Sequence, residues 1–297
     1  MDFFLQQLIN AVALGGTYAL LALGLAIVFS IMGLINFAHG ELMTISGYAL
    51  FFCGLAGVPF LAAAPLAVVA AIVAAMLMER IAFRPVRNAS GATMLVTSFA
   101  VAIVLQTLFQ NLISARPRPV VLPDLLTHTV EIGGFLVGVN KIVAIVVAFA
   151  MMAGLNLFLK RTATGIAMRA AAQDFAVARL MGVRADRVIA GAFALSGLLA
   201  GVAAILWVSE RASIDPFMGF LPVLKAFIAS ILGGLGSLTG AVAGGMVLGF
   251  IEIFLTAYLP AELQEFKEPI GLAVVIAVLL MRPNGLLPAA NVGAEKV

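Results

Sequence analysis

Three polar side chains fall within six positions of a sequence that is otherwise strongly apolar. Asn36, His39 and Glu41 stand in the stretch LINFAHGELMTISGY, between two long hydrophobic runs. An amide, an imidazole and a carboxylate at such a break can hydrogen-bond a polar solute or water, so they are candidates to line or gate a path through a membrane. The structural alternative is that Asn36 caps a helix, Gly40 supplies a turn, and His39 faces water at the membrane interface.

A second glycine-rich break, ILGGLGSLTG at 231–240, separates two further apolar segments. A weak similarity between the halves of the chain sets it opposite the first break and favours an internal repeat. Paired glycine-interrupted segments indicate a translocation pathway, because backbone groups freed inside a membrane must be satisfied by protein or water. The candidate path residues here are Gly233, Gly234, Gly236 and Ser237.

Two opposite charges lie inside apolar segments, Lys225 in VLKAFIASILGG and Glu252 in GFIEIFL. A lone charge there costs about 2.5–3.5 kcal/mol on insertion scales, so each needs protein or water as a partner. Their depths on neighbouring antiparallel segments differ by about 6 Å, which a lysine side chain can span. We therefore expect a Lys225–Glu252 pair; snorkelling of the lysine and direct contact with a solute are the alternatives.

The composition defines the elements that carry these residues. The 297 residues are 63% hydrophobic and 10% charged, with a mean hydropathy of +1.17, whereas soluble domains are about 45–50% apolar and about 25% charged. Apolar runs of 18 or more residues recur, long enough for helices that cross a hydrocarbon core of about 30 Å, and too continuous for a membrane β-barrel. The sequence thus predicts an all-α polytopic membrane protein forming one transmembrane domain, 1–297.

We predict about nine transmembrane helices, within a range of eight to ten. The predicted spans are 8–34, 42–57, 59–79, 92–113, 137–159, 188–208, 220–232, 240–259 and 266–281. Arginine and lysine concentrate after the third span, in 160–187 and at Arg282, whereas loops 114–136, 209–219 and 260–269 hold seven acidic residues. The positive-inside rule therefore places the amino terminus outside and the carboxy terminus in the cytoplasm.

Several other classes of site are not expected. The net charge of +3 is spread over loops and does not indicate nucleic-acid binding. No metal site is expected, because His128 is the second of two histidines and is predicted on the opposite face from His39. The single cysteine, Cys53, is interpreted as a packing residue, and the acidic amino terminus does not resemble a cleaved signal peptide.

The stretch GIAMRAAAQDFAVARLMGVRADRV, 165–188, is too polar to span a membrane and too regular for a loose loop. It predicts a cytoplasmic helix at about 168–182 with a small-residue face, a projecting Phe175 and a terminating Gly182. Such a helix suits docking into a groove on a partner; the alternative is a helix lying among lipid headgroups. The candidate coupling residues are Arg169, Ala172, Asp174, Phe175, Ala178 and Gly182.

With these stretches in view, the chain resembles the permease subunits of ABC importers for branched-chain amino acids, of the LivH type. The resemblance rests on INFAHGELMTISGY, RAAAQDFAVARLMGV followed by DRVIAGAFALSGLLAGVAA, ILGGLGSLTGAVAGG and LLMRPNGLL. It implies a coupling helix at 168–182 seated on an ATP-binding subunit in a bacterial inner membrane. It also implies two such subunits, a second related permease subunit and a solute-binding protein.

The resemblance further implies that ATP and Mg²⁺ belong to the partners and that this chain binds no cofactor and is not an enzyme. The chain contains no G-x-x-x-x-G-K-[ST] loop, since GGLGSLTG lacks the lysine. The implied substrates are leucine, isoleucine and valine, with urea, short amides or other amino-acid-like solutes as the alternative. An ion-coupled transporter or channel is the competing class, but it would need more buried carboxylates and gives the 165–188 helix no purpose.

Overall fold

The computed structural model describes residues 2–132 and 135–288, and these form a helical bundle with short strands in its loops. The elements are α1 Asp2–Met32, α2 His39–Leu55, α3 Phe60–Met78, α4 Gly91–Leu112, β1 Arg118–Pro119, α5 Asp124–Thr127, β2 Thr129–Ile132, β3 Phe135–Gly138, α6 Val139–Arg161, α7 Ala163–Gln173, α8 Phe175–Leu180, α9 Ala185–Arg211, β4 Ser213–Ile214, α10 Phe220–Gly233, α11 Leu238–Tyr258 and α12 Lys267–Met281. A π-helical turn extends α3, and a 3-10 helix precedes α12.

Each predicted span coincides with one helix, and the all-α polytopic class is confirmed. In the described ranges, six helices are long and apolar enough to cross a membrane unaided: α1, α3, α4, α6, α9 and α11. Helices α2, α10 and α12 are shorter, with 17, 14 and 15 residues. A 14-residue helix rises about 21 Å, less than a hydrocarbon core of about 30 Å, so α10 needs non-helical chain to complete a crossing.

The chain repeats its backbone geometry at an interval of 179 residues. Helix α1 is followed by Gly33 at φ +66°, and α9 is followed by Ala212 at φ +51°. Helix α2 is followed by Gly57 at φ +75°, and α10 by Gly236 at φ +81°. Ala212 is the sole non-glycine residue with positive φ in the described ranges, and its left-handed conformation, unusual for alanine, reproduces that of its glycine counterpart.

Hydrogen bonds follow the same interval in the segments between these helices. The N–H of His39 donates to the carbonyl of Asn36, and the N–H of Met218 donates to the carbonyl of Asp215, both at 3.2 Å. The segment 33–40 therefore corresponds to 212–219, which corrects the predicted pairing of the first break, within 34–48, with the second break at 231–240. The turn at 234–237 corresponds to the turn between α2 and α3, and it connects two helices without interrupting a span.

The two repeats have opposite orientations in the bundle. The rings of Tyr18 on α1 and Trp207 on α9 lie 6.4 Å apart, whereas Gly24, further along α1, lies beside Ser196, earlier on α9. Residue numbers therefore rise on α1 as they fall on α9, and the helices are antiparallel. The four helices α1–α4 and the four helices α9–α12 form an inverted repeat, with α6 between them.

Candidate functional site: polar residues inside the bundle and an exposed apolar surface between α6 and α9

The segment 33–38 joins α1 to α2 without regular helix, and its residues after the exposed Gly33 are buried or half-buried. Gly33 provides the left-handed conformation that ends α1. The backbone is satisfied by a side chain of α4: Ser98 Oγ donates to the carbonyl of Ile35 and accepts from the N–H of Phe37, both at 3.3 Å. Freed backbone groups at this position thus have a protein partner, as membrane burial requires.

Three polar residues lie at this junction: Asn36 in the segment, and His39 and Glu41 in the first turn of α2. All three are buried, but each contacts a different helix. Asn36 Nδ2 lies 4.0 Å from the sulfur of Met78 on α3. His39 Nδ1 lies 2.9 Å from Ser196 Oγ on α9, and its ring occupies the space left by Gly24 of α1. Asn36 and His39 thus make polar contacts with α3 and α9, and His39 also packs against α1.

Glu41 completes the set by contacting α4. Its Oε1 accepts from Nε2 of Gln106 at 2.8 Å, and both side chains are buried. Further along the same pair of helices, about two turns after Glu41 on α2 and one turn after Gln106 on α4, the rings of Tyr48 and Phe109 lie 5.3 Å apart. Gln106 and Tyr48 belong to this polar interface, but the sequence search missed them because an isolated glutamine or tyrosine in an apolar run gives no local signal.

The structural alternative for this segment was wrong in three respects. The residue before α2 is Ala38, and no side chain caps the helix, so Asn36 is not a cap. Gly40 lies within the first turn of α2 and packs on the backbone of Gly219. His39 is fully buried and does not face water. The left-handed turn belongs to Gly33.

Four buried polar atoms along α2 and the segment before it have no hydrogen-bond partner among the described residues: Asn36 Oδ1, His39 Nε2, Glu41 Oε2 and Tyr48 Oη. A buried polar group left without a partner costs about 1–3 kcal/mol, and such groups are uncommon in folded proteins. Four such atoms lie on one helix and the segment before it.

The second glycine segment has a different environment. Gly234 and Gly236 have positive φ, and Ser237 caps α11 by accepting a hydrogen bond from the N–H of Gly240 at 3.0 Å. The carboxy-terminal segment covers this turn, with the N–H of Leu287 donating to the carbonyl of Gly233 at 2.9 Å. The contacts thus stabilise the turn between α10 and α11, which is hydrogen-bonded to the chain at the end of the LLMRPNGLL stretch. The turn contains Gly233, Gly234, Gly236 and Ser237.

The intramembrane charges form a cluster of four side chains. Lys225 Nζ lies 2.6 Å from Glu252 Oε1 and 3.1 Å from Glu268 Oε1. Tyr18 donates its hydroxyl to Glu252 Oε2 at 2.8 Å. One ammonium group is thus shared by two carboxylates, and the cluster borders a cavity of about 190 Å³ between α10, α11 and α12. Tyr18 and Glu268 come from distant parts of the chain, so sequence spacing did not reveal them.

The predicted coupling segment consists of the two helices α7 and α8 and the turn at Gly182. It is not the single helix expected over 168–182. Asp174 has extended backbone between α7 and α8, and its Oδ1 accepts from the N–H groups of Ala176 and Val177, both at 2.9 Å. This side chain replaces the helical carbonyls as the acceptor, so it ends α7 and caps α8. Gly182 has φ +87° just after α8, the position expected for a helix-terminating glycine.

The side chains of this segment divide into a packed face and an exposed face. Met168, Ala171 and Ala178 are buried, and Met168 lies over Gly191 of α9. Phe175 does not project as expected; it is half-buried and packs on the core. Arg169 and Ala172 are exposed, and the exposed apolar side chains are Ile166, Val177, Leu180 and Met181, the last two more than 80% exposed.

These features define a multi-pass α-helical membrane protein of permease type, with buried polar residues between α1 and α2 of the first repeat and exposed apolar side chains on the connection between α6 and α9. Residues 7–281 match the family of the branched-chain amino acid transport system permease component, and the chain belongs to that family. No solved structure matches the chain.

Curated relatives match over almost the whole chain. It is 38% identical to the high-affinity branched-chain amino acid transport system permease protein LivH of Escherichia coli (strain K12), covering 99% of this chain and 98% of the relative. It is 36% identical to the permease protein BraD of Pseudomonas aeruginosa over the same shares of both chains. A probable LivH of Methanocaldococcus jannaschii is 31% identical over 93% of this chain and 90% of its own length.

Proposed function

We propose that this chain is the membrane permease subunit of an ABC importer that moves leucine, isoleucine and valine across the bacterial inner membrane. The observation that carries the proposal is the end-to-end similarity to permease proteins named for branched-chain amino acid transport. Such a match includes the polar segment, the coupling segment and the carboxy-terminal motif. ATP and Mg²⁺ are bound by two partner subunits, and a second related permease and a solute-binding protein complete the importer.

The loop charges and the inverted repeat together support nine spans with the amino terminus outside. Helices α1 and α9 are antiparallel, so an odd number of membrane crossings must separate the start of α1 from the start of α9. Each repeat contains four helices, so one further crossing must lie between the two repeats. Four helices, then α6, then four helices satisfy both conditions if α2, α10 and α12 cross together with their flanking segments. The carboxy terminus is then cytoplasmic, on the side of the arginine-rich loops.

The coupling segment transmits the state of the ATP-binding subunits to the polar segment. Leu180 and Met181 offer the apolar contacts that dock on a partner. On the inner side, Phe175 borders the same cavity as Ile31 and Met32, the last residues of α1 before the segment that holds Asn36. A displacement of α8 therefore acts on the end of α1 and on the start of the buried polar segment.

The solute path includes the unpartnered polar groups of α2 and of the segment before it. An amino acid carries both an ammonium and a carboxylate group, and its passage needs acceptors and donors within the membrane. Asn36 Oδ1 and Glu41 Oε2 are acceptors that have free bonding capacity, and His39 Nε2 accepts or donates according to its tautomer. Rearrangement of α2 against α4, where Glu41 meets Gln106, exposes these groups to the solute.

Uptake into proteoliposomes tests the proposal. Vesicles would contain this chain, the second permease and the ATP-binding subunits, with the solute-binding protein outside and ATP inside. We expect uptake of labelled leucine, isoleucine and valine that depends on ATP. Preferential uptake of urea or acetamide would assign the chain to the alternative substrate group, and leucine uptake by this chain alone without ATP would favour an ion-coupled transporter.

A further inference from the structure

A cavity of about 880 Å³ opens where α1 ends and α9 begins. One part of its wall is apolar and contains Ile31, Met32, Phe175 and Ile189. Ile31 and Met32 end one long apolar helix and Ile189 lies in the first turns of another. The cavity therefore lies at the boundary between the apolar bundle and the arginine-rich loops.

The other part of the wall is strongly basic. Arg87, Arg179, Arg184 and Arg187 line it together with one acidic residue, Asp186. Asp186 is already shared, because it pairs with Arg87 and also accepts from Arg84. These two ion pairs already set its single negative charge against two arginines.

Three guanidinium groups at the cavity thus remain uncompensated. Within the described ranges, no carboxylate lies within ion-pairing distance of Arg179, Arg184 or Arg187. Arg184 and Arg187 also stand at the amino terminus of α9, where the helix dipole adds further positive potential. Asp186 lies in the same turn but is paired with Arg84 and Arg87, so the cavity keeps a net positive charge that suits an anionic ligand.

We propose that this cavity binds an anionic phospholipid, with the phosphate group among Arg179, Arg184 and Arg187 and the glycerol and upper acyl chains against Ile31, Met32 and Ile189. Basic pockets between membrane helices at the headgroup level are suited to such lipids. A free phosphate ion would use the arginines but would leave the apolar wall in water, so the mixed lining favours an amphipathic ligand.

A protein partner on the coupling segment and a lipid in the cavity are compatible. The most exposed apolar side chains of this region, Leu180 and Met181, do not line the cavity. Phe175 of α8 and Met32 of α1 both line it, so the bound lipid fills the space between the coupling segment and the end of α1. Lipid binding is a property of the chain itself and holds whichever solute is transported.

Native mass spectrometry and thermal unfolding of the full-length protein test this site. The variant Arg184→Gln/Arg187→Gln is compared with Lys160→Gln/Arg161→Gln, which removes two charges outside the cavity at the end of α6. The probes are phosphatidylglycerol, phosphatidylcholine, glycerol phosphate and inorganic phosphate. We expect wild type and the control to retain phosphatidylglycerol selectively, and the Arg184/Arg187 variant to bind it about 30-fold more weakly.

Three results would overturn the proposal. Equal stabilisation by inorganic phosphate and phosphatidylglycerol would indicate a free-anion site. An equal loss of lipid in both double variants would indicate general attraction to the basic face. In a parallel co-purification of the assembled importer, loss of the ATP-binding subunits from the Arg184/Arg187 variant, with lipid retention unchanged, would indicate that the arginines dock a protein. Size-exclusion profiles verify that both double variants are folded.

Discussion

Gly40 and Gly219 meet backbone to backbone in the first turn of α2 and immediately before α10. A Cβ atom at Gly40 would lie 2.5 Å from the carbonyl oxygen of Gly219, and one at Gly219 would collide with the carbonyl of Gly40. The two glycines are counterparts in the inverted repeat, so each contacts its own equivalent, as residues do at a two-fold axis. The starts of the two short helices are therefore held together at the centre of the repeat.

Substitution of Gly219 by alanine is predicted to destabilise the protein. The added methyl group has no space against the backbone of Gly40, and overpacking of this kind costs about 1–3 kcal/mol. The matched control is Gly54→Ala on α2, where an added Cβ meets nothing within 4 Å and the helix gains up to about 1 kcal/mol. Thermal unfolding in detergent measures both, and equal stability of the two variants would contradict the contact.

Substitutions in the charge cluster are predicted to lower the free energy of unfolding by different amounts. Lys225→Met leaves Glu252 and Glu268 close together without the ammonium group and should lower the free energy of unfolding by about 1–3 kcal/mol. Glu268→Gln should cost at most about 1 kcal/mol, because that side chain is half-exposed and Glu252 still pairs with the lysine. Chemical unfolding tests the order, and a larger loss for Glu268→Gln would refute it.

Glu41→Gln is predicted to reduce solute uptake while preserving the fold. The amide still offers an oxygen to Gln106 Nε2, but it lacks the charge that would contact a solute ammonium group. We expect uptake to fall about tenfold, the effect of one charge-assisted hydrogen bond, with unfolding temperature close to wild type. Full uptake by Glu41→Gln would remove Glu41 from the path.

Tyr48→Phe, which removes a buried hydroxyl without a partner in the described residues, should leave stability unchanged or higher.

Leu180→Glu is predicted to release the ATP-binding subunits without unfolding the permease. Its side chain is exposed and apolar, so the new charge disrupts a docking interface and nothing inside the chain. Val121→Glu is the control, because Val121 is also highly exposed but belongs to the loop between α4 and α6. Phe175→Glu should reduce thermal stability as well, because Phe175 is half-buried. Co-purification provides the measurement, and retention of the partners by Leu180→Glu would count against this surface.

The sequence predicted the helices well because long apolar runs in a membrane have one secondary structure available. It did not predict the counterparts in the repeat, since the contact of Gly40 with Gly219 involves backbone atoms and leaves little trace in residue type. Tyr18 and Glu268 were missed because they join Lys225 and Glu252 only in the folded bundle. The division between α7 and α8 had a readable signal, as aspartate is a preferred cap, but the regular apolar pattern masked it.

Cross-linking of the assembled importer tests the central claim that the α7–α8 segment rests on a partner ATPase. In a Cys53→Ser background, Met181→Cys and Val121→Cys each introduce one exposed thiol into the chain. A short bifunctional cross-linker should join Met181→Cys to an ATP-binding subunit, and Val121→Cys should form no such product. Cross-linking of an ATP-binding subunit through Val121→Cys, with none through Met181→Cys, would place the partner on the other face of the membrane and contradict the account.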